Sequence, residues 1–297
     1  MPVPNSDLVQ VKSIDIFTPL VDEPEIMGEI AACNVTNDIF AMNVPEVSGM
    51  LVFLAINKNT PMNIAEGILR GINRFMEQKI NSKIVGGHTI YSEWPLIGGE
   101  ASGFVNKNNL IRKHGVKKGD KLILTKPIGL QAIMAAYRLQ KDFPEMLERY
   151  SLTELNNSIK LAINLMTTSN QSVVKTIYTY NDFSFIHAMT DVTGFGLSGH
   201  LKEMLQNSGL SAIIEAIPSI KHSRILSEEF GYAFNDCLCS ETAGGMLIAL
   251  DPSKVEDFSN ALSSQGVSNW IVGTVDDIES ELVRISKEVE QLEITKI

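Results

Sequence analysis

Several absences narrow what this sequence encodes. It contains only three cysteines, Cys33, Cys237 and Cys239, which supply neither a disulfide framework nor the four ligands of a structural zinc site. It has no apolar stretch of about 18 residues, the length that a membrane span requires. Residues 1–10 lack the basic and apolar regions of a signal peptide. We therefore expect a protein of the reducing cytoplasm that has no membrane association.

A basic tract is also missing. The 297 residues carry 35 acidic and 25 basic side chains, for a net charge of −10, which argues against a general nucleic-acid surface. A negatively charged substrate would need a metal ion or a local group of Lys and Arg. The length predicts roughly two domains of ~150 residues each, and a hydrophobic content of 44% is sufficient for packed cores.

Strand and helix patterns alternate through both halves of the chain. This alternation predicts an α/β or α+β fold with two domains. The polar turn Val116–Asp120 marks the boundary, so we expect domains at residues 1–115 and 116–297. The tail from Ile278 is charged, and its periodicity suits a strand as well as a helix.

One candidate site lies in the stretch from His187 to His200. An apolar run ends at Thr190-Asp191, and Thr193 is a suitable N-cap for the helical pattern that follows. Gly194 and Gly196 leave the backbone N–H groups of the first turn open to an anion, and the Asp191 carboxylate beside them suits a cation. The alternative is a capped glycine-rich loop with no ligand.

A second candidate lies in a predicted helix over residues 25–42. The helix is apolar on most sides, yet Asn34, Asn37 and Asp38 share one stripe of it. A buried carboxylate needs a hydrogen-bond network or a cation, so a buried Asp38 is a candidate ligand. The alternative is a stripe that faces water.

The double glycine of Gly86-Gly87-His88-Thr89 follows a predicted strand over residues 83–85. Glycines at this place permit close approach to a phosphate or nucleotide, although ordinary turns show the same pattern. Lys126 also follows a strand, where it either approaches a phosphate or is a solvated turn residue. Cys237 and Cys239 could bind a soft metal, but two thiolates make an incomplete site and an ordinary loop is favoured. His88, His187 and His200 are candidate acids or bases, although packing or backbone hydrogen bonding is the favoured role of His187 and His200.

Six motifs carry a resemblance that spans nearly the whole chain, from about Leu8 to Thr274. The motifs are Ile14–Pro24, Gly28–Met42, Val85–Thr89, Leu124–Gly129, Thr190–His200 and Glu241–Gly245. Their order and spacing are similar to those of selenophosphate synthetase, also called selenide, water dikinase.

The resemblance implies a two-domain fold of the aminoimidazole ribonucleotide synthetase type. The N-terminal domain would form a homodimer, and the C-terminal domain would cover the nucleotide. The family makes selenophosphate, AMP and phosphate from ATP, selenide and water, with Mg²⁺ bridging the phosphates. By position, Asp15 would contact ATP, Asp38 would bind ATP and Mg²⁺, Asp191 would bind Mg²⁺, and Gly86, Gly87, His88 and Thr89 would line the nucleotide.

The sequence also departs from the family pattern. The glycine-rich segment with a Cys or selenocysteine and a nearby Lys is expected to be missing, so no catalytic residue is assigned. Asn43 and Ala243 replace the usual glycine and serine. Three hypotheses follow: a member of this lineage with part of the ATP–Mg²⁺ site, a non-catalytic nucleotide-binding or regulatory subunit that pairs with a full-length relative, or another enzyme of the superfamily, such as a thiamine-phosphate kinase or hydrogenase maturation factor.

Overall fold

A computed structural model describes residues 1–278 and 281–297. Contacts divide the chain into two compact units. The first comprises residues 1–111 and 166–175, and the second comprises residues 112–165 and 176–297. The architecture is mixed α/β in both units, as the sequence predicts, and the roles assigned to the two halves stay predictions.

The first unit is built on a four-stranded sheet in the order β1-β4-β2-β3. Strand β1 pairs antiparallel with β4, β4 pairs antiparallel with β2, and β2 pairs parallel with β3. Its elements are β1 (Leu8–Phe17), α1 (Pro24–Ala41), β2 (Val47–Ile56), α2 (Met62–Arg74), a π-helical turn (Phe75–Lys79), β3 (Ile84–Tyr91) and β4 (Leu96–Asn106).

Helix α1 is the centre of this unit, because most of its residues are buried. It packs against β1, β4 and α2. A Cβ added at Gly28 of α1 would lie 2.1 Å from the carbonyl oxygen of Ile68 on α2, so the two helices cross too closely for any side chain there. The close crossing explains why this apolar helix carries a glycine in its interior, where glycine is otherwise unfavourable.

The second unit is built on a six-stranded sheet in the order β10-β7-β9-β5-β8-β6. Strands β10 and β7 are parallel, and the other neighbouring pairs are antiparallel. Its strands are β5 (Lys121–Leu124), β6 (Ile186–Asp191), β7 (Leu210–Ile220), β8 (Met246–Leu250), β9 (Trp270–Asp277) and β10 (Val283–Ile294). The charged tail, for which the sequence allowed a strand or a helix, therefore contains a strand.

Helices accompany these strands along the chain. They are α3 (Leu130–Asp142), α4 (Leu152–Met166), α5 (Gln171–Ile177), α6 (Gly196–Leu205), α7 (Ser223–Phe230) and α8 (Val255–Ser264). The core of the second unit joins the apolar face of α6, including Leu197, Leu201 and Met204, to buried strand residues such as Leu124 and Leu247. In the part of the chain that the structure describes, no helix has both the length and the apolar character that crossing a membrane demands.

Candidate functional site

A pair of carboxylates marks the candidate site of the first unit. Asp15 lies on β1 and Asp38 lies on α1, which packs against that strand. Ser13 and Asp15 share one face of β1 because side chains alternate along a strand. The hydroxyl of Ser13 donates a hydrogen bond of 2.6 Å to Oδ2 of Asp38, which holds this carboxylate against the strand.

The two acids influence each other. Burial, and secondly the negative charge of Asp38, raise the pKa of Asp15 from 3.8 to about 6. Like charges held together in this way favour the neutral acid, and a bound cation would relieve their repulsion. The donors suit Mg²⁺, a hard ion that protein carboxylates often hold through one or two oxygens while water and substrate phosphates complete its coordination.

Asp38 is exposed and not buried, which corrects the expectation drawn from the apolar helix. The neighbouring residue Asn37 is buried instead, and its Oδ1 accepts a 2.9 Å hydrogen bond from Nδ2 of Asn170. One residue along a helix turns the side chain by about 100°. The two neighbouring polar residues of this stripe therefore have different surroundings. Asn37 makes a buried structural contact, whereas Asp38 lies beside β1, where a ligand can reach it.

The segment from Gly86 to Thr89 is part of strand β3, so the predicted strand over residues 83–85 continues through these residues and does not end before them. Gly87 is paired with Val52, and a Cβ at Gly87 would lie 2.3 Å from the Val52 carbonyl oxygen. The close approach of the two strands is by itself sufficient to require glycine at this position. All four residues are exposed, and within the described chain β3 pairs with β2 alone.

In the second unit, three of the motifs meet at one edge of the sheet. Strands β5 and β6 both run antiparallel to β8, which lies between them. The residues after β5, the end of β6 and the start of β8 therefore lie together. This arrangement brings Lys126, Asp191 and the 243–245 segment (Ala243, Gly244 and Gly245) to the same edge, with Asp191 buried and paired with Met246.

The start of α6 does not form the expected open anion site. Phe195 occupies the N-cap position, so the prediction that Thr193 caps the helix is wrong. The N–H of Ser198 donates to the carbonyl oxygen of Cys237 at 2.9 Å, and a Cβ at Gly196 would lie 2.7 Å from that same oxygen. Gly196 also has φ +67°, so the turn and the packing of the neighbouring loop both require glycine here.

Two ionisable residues at this edge are buried, of which sequence reasoning considered Lys126 but gave no role to Glu241. Lys126 is neither solvated nor aimed at open solvent, since it is 5% exposed and its ammonium donates to the carbonyl oxygens of Leu165 and Ala243. The Glu241 carboxylate accepts hydrogen bonds from the N–H groups of Gly129 and Leu130 at the start of α3. Burial raises the pKa of Glu241 to about 8, although these two donors act in the opposite direction. In the sequence, the only sign of a special role for Glu241 was the nearby pair Gly244-Gly245.

The remaining candidates have structural roles. Nε2 of His200 accepts from the N–H of Thr193, which is the backbone hydrogen bonding that the sequence analysis favoured. His187 differs from that expectation, because its Nδ1 lies 2.8 Å from Oδ1 of the Asp120 carboxylate in a buried pair. Burial raises the thiol pKa of Cys237 to about 12 and that of Cys239 to about 11. Within residues 1–278 and 281–297, no group of three or more His, Cys, Asp or Glu side chains is placed to hold a metal ion.

Comparison with known proteins identifies both halves of the chain. The family model for the N-terminal domain of AIR synthase related proteins matches residues 3–105, and the model for their C-terminal domain matches residues 117–285. A selenide, water dikinase of Methanocaldococcus jannaschii is 38% identical over 98% of this chain and 84% of its own. The chain belongs to the selenide, water dikinase family. Another member, from Methanococcus maripaludis, is 38% identical over 96% of this chain and 85% of its own.

Solved structures with the same fold come from related families of the superfamily. A thiamine-monophosphate kinase from Stenotrophomonas maltophilia has a TM-score of 0.75 at 17% identity, covering 96% of this chain and 88% of that one. The hydrogenase maturation protein HypE, solved in complex with ATP, has a TM-score of 0.71 at 16% identity, covering 95% of this chain and 80% of that one. These likenesses confirm the two-domain AIR synthase-like fold that the sequence predicts.

Proposed function

We propose that this chain catalyses the phosphorylation of selenide by ATP, with selenophosphate, AMP and phosphate as products. The observation that carries the proposal is 38% identity to a selenide, water dikinase over 98% of the chain. That length of likeness includes both units and all the candidate residues. In the reaction, the γ-phosphoryl group passes to selenide, and water hydrolyses the remaining phosphoanhydride bond to release AMP and phosphate.

In this proposal, Asp15 would contact ATP, and Asp38 would bind both ATP and Mg²⁺. The ion supplies positive charge that neutralises the phosphate oxygens, which is its main contribution to phosphoryl transfer. Asp38 is exposed and fixed by the 2.6 Å hydrogen bond from Ser13, so its carboxylate is both accessible and oriented. The pKa of Asp15 is raised first by burial and second by the charge of Asp38, so a bound cation would stabilise the ionised form of both carboxylates. By the family resemblance, we also assign Asp191, in the second unit, as a Mg²⁺ ligand.

We propose that strand β3 contributes to nucleotide binding through its backbone. The strand lies at the edge of its sheet, so one side of its backbone between Gly86 and Thr89 presents polar groups that no described strand occupies. Such an edge is suited to hydrogen bonding with a nucleotide. We assign Gly86, Gly87, His88 and Thr89 to this contact, and the assignment rests on the family resemblance and on their exposure.

Product analysis under anaerobic conditions tests the reaction. The protein is incubated with ATP, MgCl₂ and selenide, and AMP is quantified by chromatography while selenophosphate is observed by ³¹P NMR. We expect AMP that depends on selenide, and its loss in Asp38→Asn but not in Asp7→Asn. Asp7 is a suitable control because it is an exposed carboxylate of the same unit that pairs with Lys107. ATP binding without any selenide-dependent AMP would favour a nucleotide-binding subunit and refute the enzyme.

We further propose that the protein is a homodimer joined through the sheet of the first unit. The sheet face opposite α1 carries exposed apolar side chains on three strands, among them Ile14 (68% exposed), Leu51 (46%) and Phe104 (42%). Ile14 and Leu51 both lie opposite Glu100, so they share this face. A self-complementary apolar face suits a two-fold interface. We propose the reducing cytoplasm as the location, which suits three buried cysteines held as thiols.

Light scattering coupled to size-exclusion chromatography tests the dimer. Leu51→Asp introduces a charge into the face and should give a monomer. Leu69→Asp is the matched control, because Leu69 is an exposed leucine of the same unit that lies on α2 and not on the sheet. A wild-type mass of one chain, or a Leu51→Asp variant that remains dimeric, would refute this interface.

A further inference from the structure

The 243–245 segment lies between two features of the sheet edge in the second unit. On one side is Lys126, which follows β5, and on the other is Val192, which follows Asp191 at the end of β6. The segment enters β8, the strand that pairs with both β5 and β6. Its position therefore determines how these two strand ends are held relative to one another.

Lys126 fixes the segment from one side. Its buried ammonium donates to the carbonyl oxygen of Ala243 at 2.7 Å and to that of Leu165, in the last turn of α4, at 2.9 Å. Cations interact favourably with the carbonyl end of a helix. Ala243 has φ +49°, an unusual conformation for a residue with a side chain, so its carbonyl is held in place by contacts around it.

The same segment contacts the backbone beside Asp191. The N–H of Val192 donates to the carbonyl oxygen of Gly245 at 2.9 Å, and Asp191 is paired with Met246. Close packing leaves no room on either side of the segment. A Cβ at Gly244 would lie 2.0 Å from the Val192 carbonyl oxygen, and a Cβ at Gly245 would lie 2.4 Å from the Lys126 nitrogen. A displacement of the segment must therefore displace the backbone that carries Asp191.

We propose that Lys126 is a positioning residue for Asp191, acting through its hydrogen bond to Ala243 and the contact of residues 244–245 with Val192. The importance of holding Asp191 in place rests on the proposed function, in which Asp191 binds Mg²⁺. Lys126 is held by backbone carbonyl groups within the protein, and its charge serves to fix the edge on which the metal ligand stands. Groups that orient a ligand in this way commonly change metal affinity by about 10- to 100-fold.

The test compares Lys126→Met, which keeps the length of the side chain and removes its donors, with Lys126→Arg, which restores a cation. The first measurement is amide hydrogen exchange at Val192 and Met246, whose N–H groups bond to Gly245 and to the Thr125 hydroxyl. We expect faster exchange at both amides in Lys126→Met and partial recovery in Lys126→Arg. The second measurement is the Mg²⁺ concentration that half-saturates ATP binding, which should rise about ten-fold in Lys126→Met. ATP binding without Mg²⁺ should stay within about two-fold of wild type, since the nucleotide contacts themselves are unchanged.

Leu250→Ala is the control for loss of stability. Leu250 is fully buried at the opposite end of β8, where it pairs with Lys121 and Ile186. The truncation destabilises the same sheet, but at the end of β8 away from Asp191. At temperatures where the variant is folded, it should therefore leave the exchange rate of the Val192 amide and the half-saturating Mg²⁺ concentration unchanged. Gly244→Ala is a second route to the same effect, because its Cβ must push the Val192 carbonyl while Lys126 stays intact. If Lys126→Met fails to fold, Gly244→Ala and Lys126→Arg decide the question.

Unchanged exchange at Val192 in folded Lys126→Met would overturn the proposal, as would equal effects of Lys126→Met and Leu250→Ala. An unchanged exchange rate of the Val192 amide in Gly244→Ala would also overturn the proposal. A wild-type protein that shows no Mg²⁺-dependent ATP binding would refute the proposed function instead. The exchange measurement would then still determine whether Lys126 holds the edge.

Discussion

The carboxylate pair of the first unit makes a specific prediction about pH. Asp15 has a pKa of about 6 in the folded protein against 3.8 for an unperturbed aspartate. Between these values, the folded state retains a proton that the unfolded state has lost. The free energy of unfolding of the metal-free protein should therefore fall as pH rises from about 4 to 6. A rise of about two pKa units corresponds to roughly 3 kcal/mol at most, and solvent near the half-buried carboxyl reduces the effect.

Asp38→Asn separates the two causes of this shift. Burial is the larger cause and remains in the variant, whereas the charge of Asp38 is removed. The pKa of Asp15 should therefore move toward 3.8 without reaching it, and the pH-dependent loss of stability should shrink by less than half. Added salt should reproduce part of the change in the wild type, since Asp38 is exposed and its charge is screened.

Carboxyl ¹³C NMR of EDTA-treated protein measures the Asp15 titration directly, and urea unfolding from pH 4 to 7 measures its effect on stability. Asp7→Asn is the control, because it removes an exposed carboxylate that pairs with Lys107 elsewhere in the unit. Saturating Mg²⁺ should lower the Asp15 midpoint if the ion binds between the acids, because metal binding competes with the proton. An Asp15 midpoint near 4 in the wild type, or one that Asp38→Asn leaves unmoved, would refute the coupling.

Two further predictions concern stability. Gly28→Ala places a Cβ 2.1 Å from the carbonyl oxygen of Ile68 and should cost about 1–3 kcal/mol in urea unfolding, whereas Gly194→Ala, with no heavy atom within 4 Å of its Cβ, should change stability little. Equal costs would contradict the close helix crossing. His187→Ala leaves the buried Asp120 carboxylate without its imidazole partner and should lower the free energy of unfolding by about 3 kcal/mol. A loss below about 0.5 kcal/mol would show that the pair is not important for the fold.

Much of the fold could be predicted from the sequence, because the local pattern of apolar residues corresponds closely to the strands and helices. Side chains alternate loosely along β1 (Leu8–Phe17), and β2 (Val47–Ile56) contains a continuous apolar run; both patterns are typical of strands. The AIR synthase-like fold came from the six motifs and their spacing, and the family comparisons confirm it. The outcome for Gly86-Gly87 was different, because a double glycine has the same local signal in a loop and in a tightly paired strand. Only the distance to Val52 on the neighbouring strand distinguishes the two cases.

The errors at the candidate sites share a physical cause, since each depends on a tertiary neighbour that no local pattern encodes. Whether Asp38 is buried depends on what covers one side of α1, and Asn170, 133 residues from Asn37, covers the adjacent side instead. Gly196 was expected to open the start of α6 to an anion, yet the carbonyl oxygen of Cys237 occupies that place. Lys126 was weighed between a phosphate and solvent, and its donors instead hold two carbonyl oxygens of the protein. The sequence thus identified positions with unusual residue types. The role of each residue depends on its partner, and only the folded structure shows which partner that is.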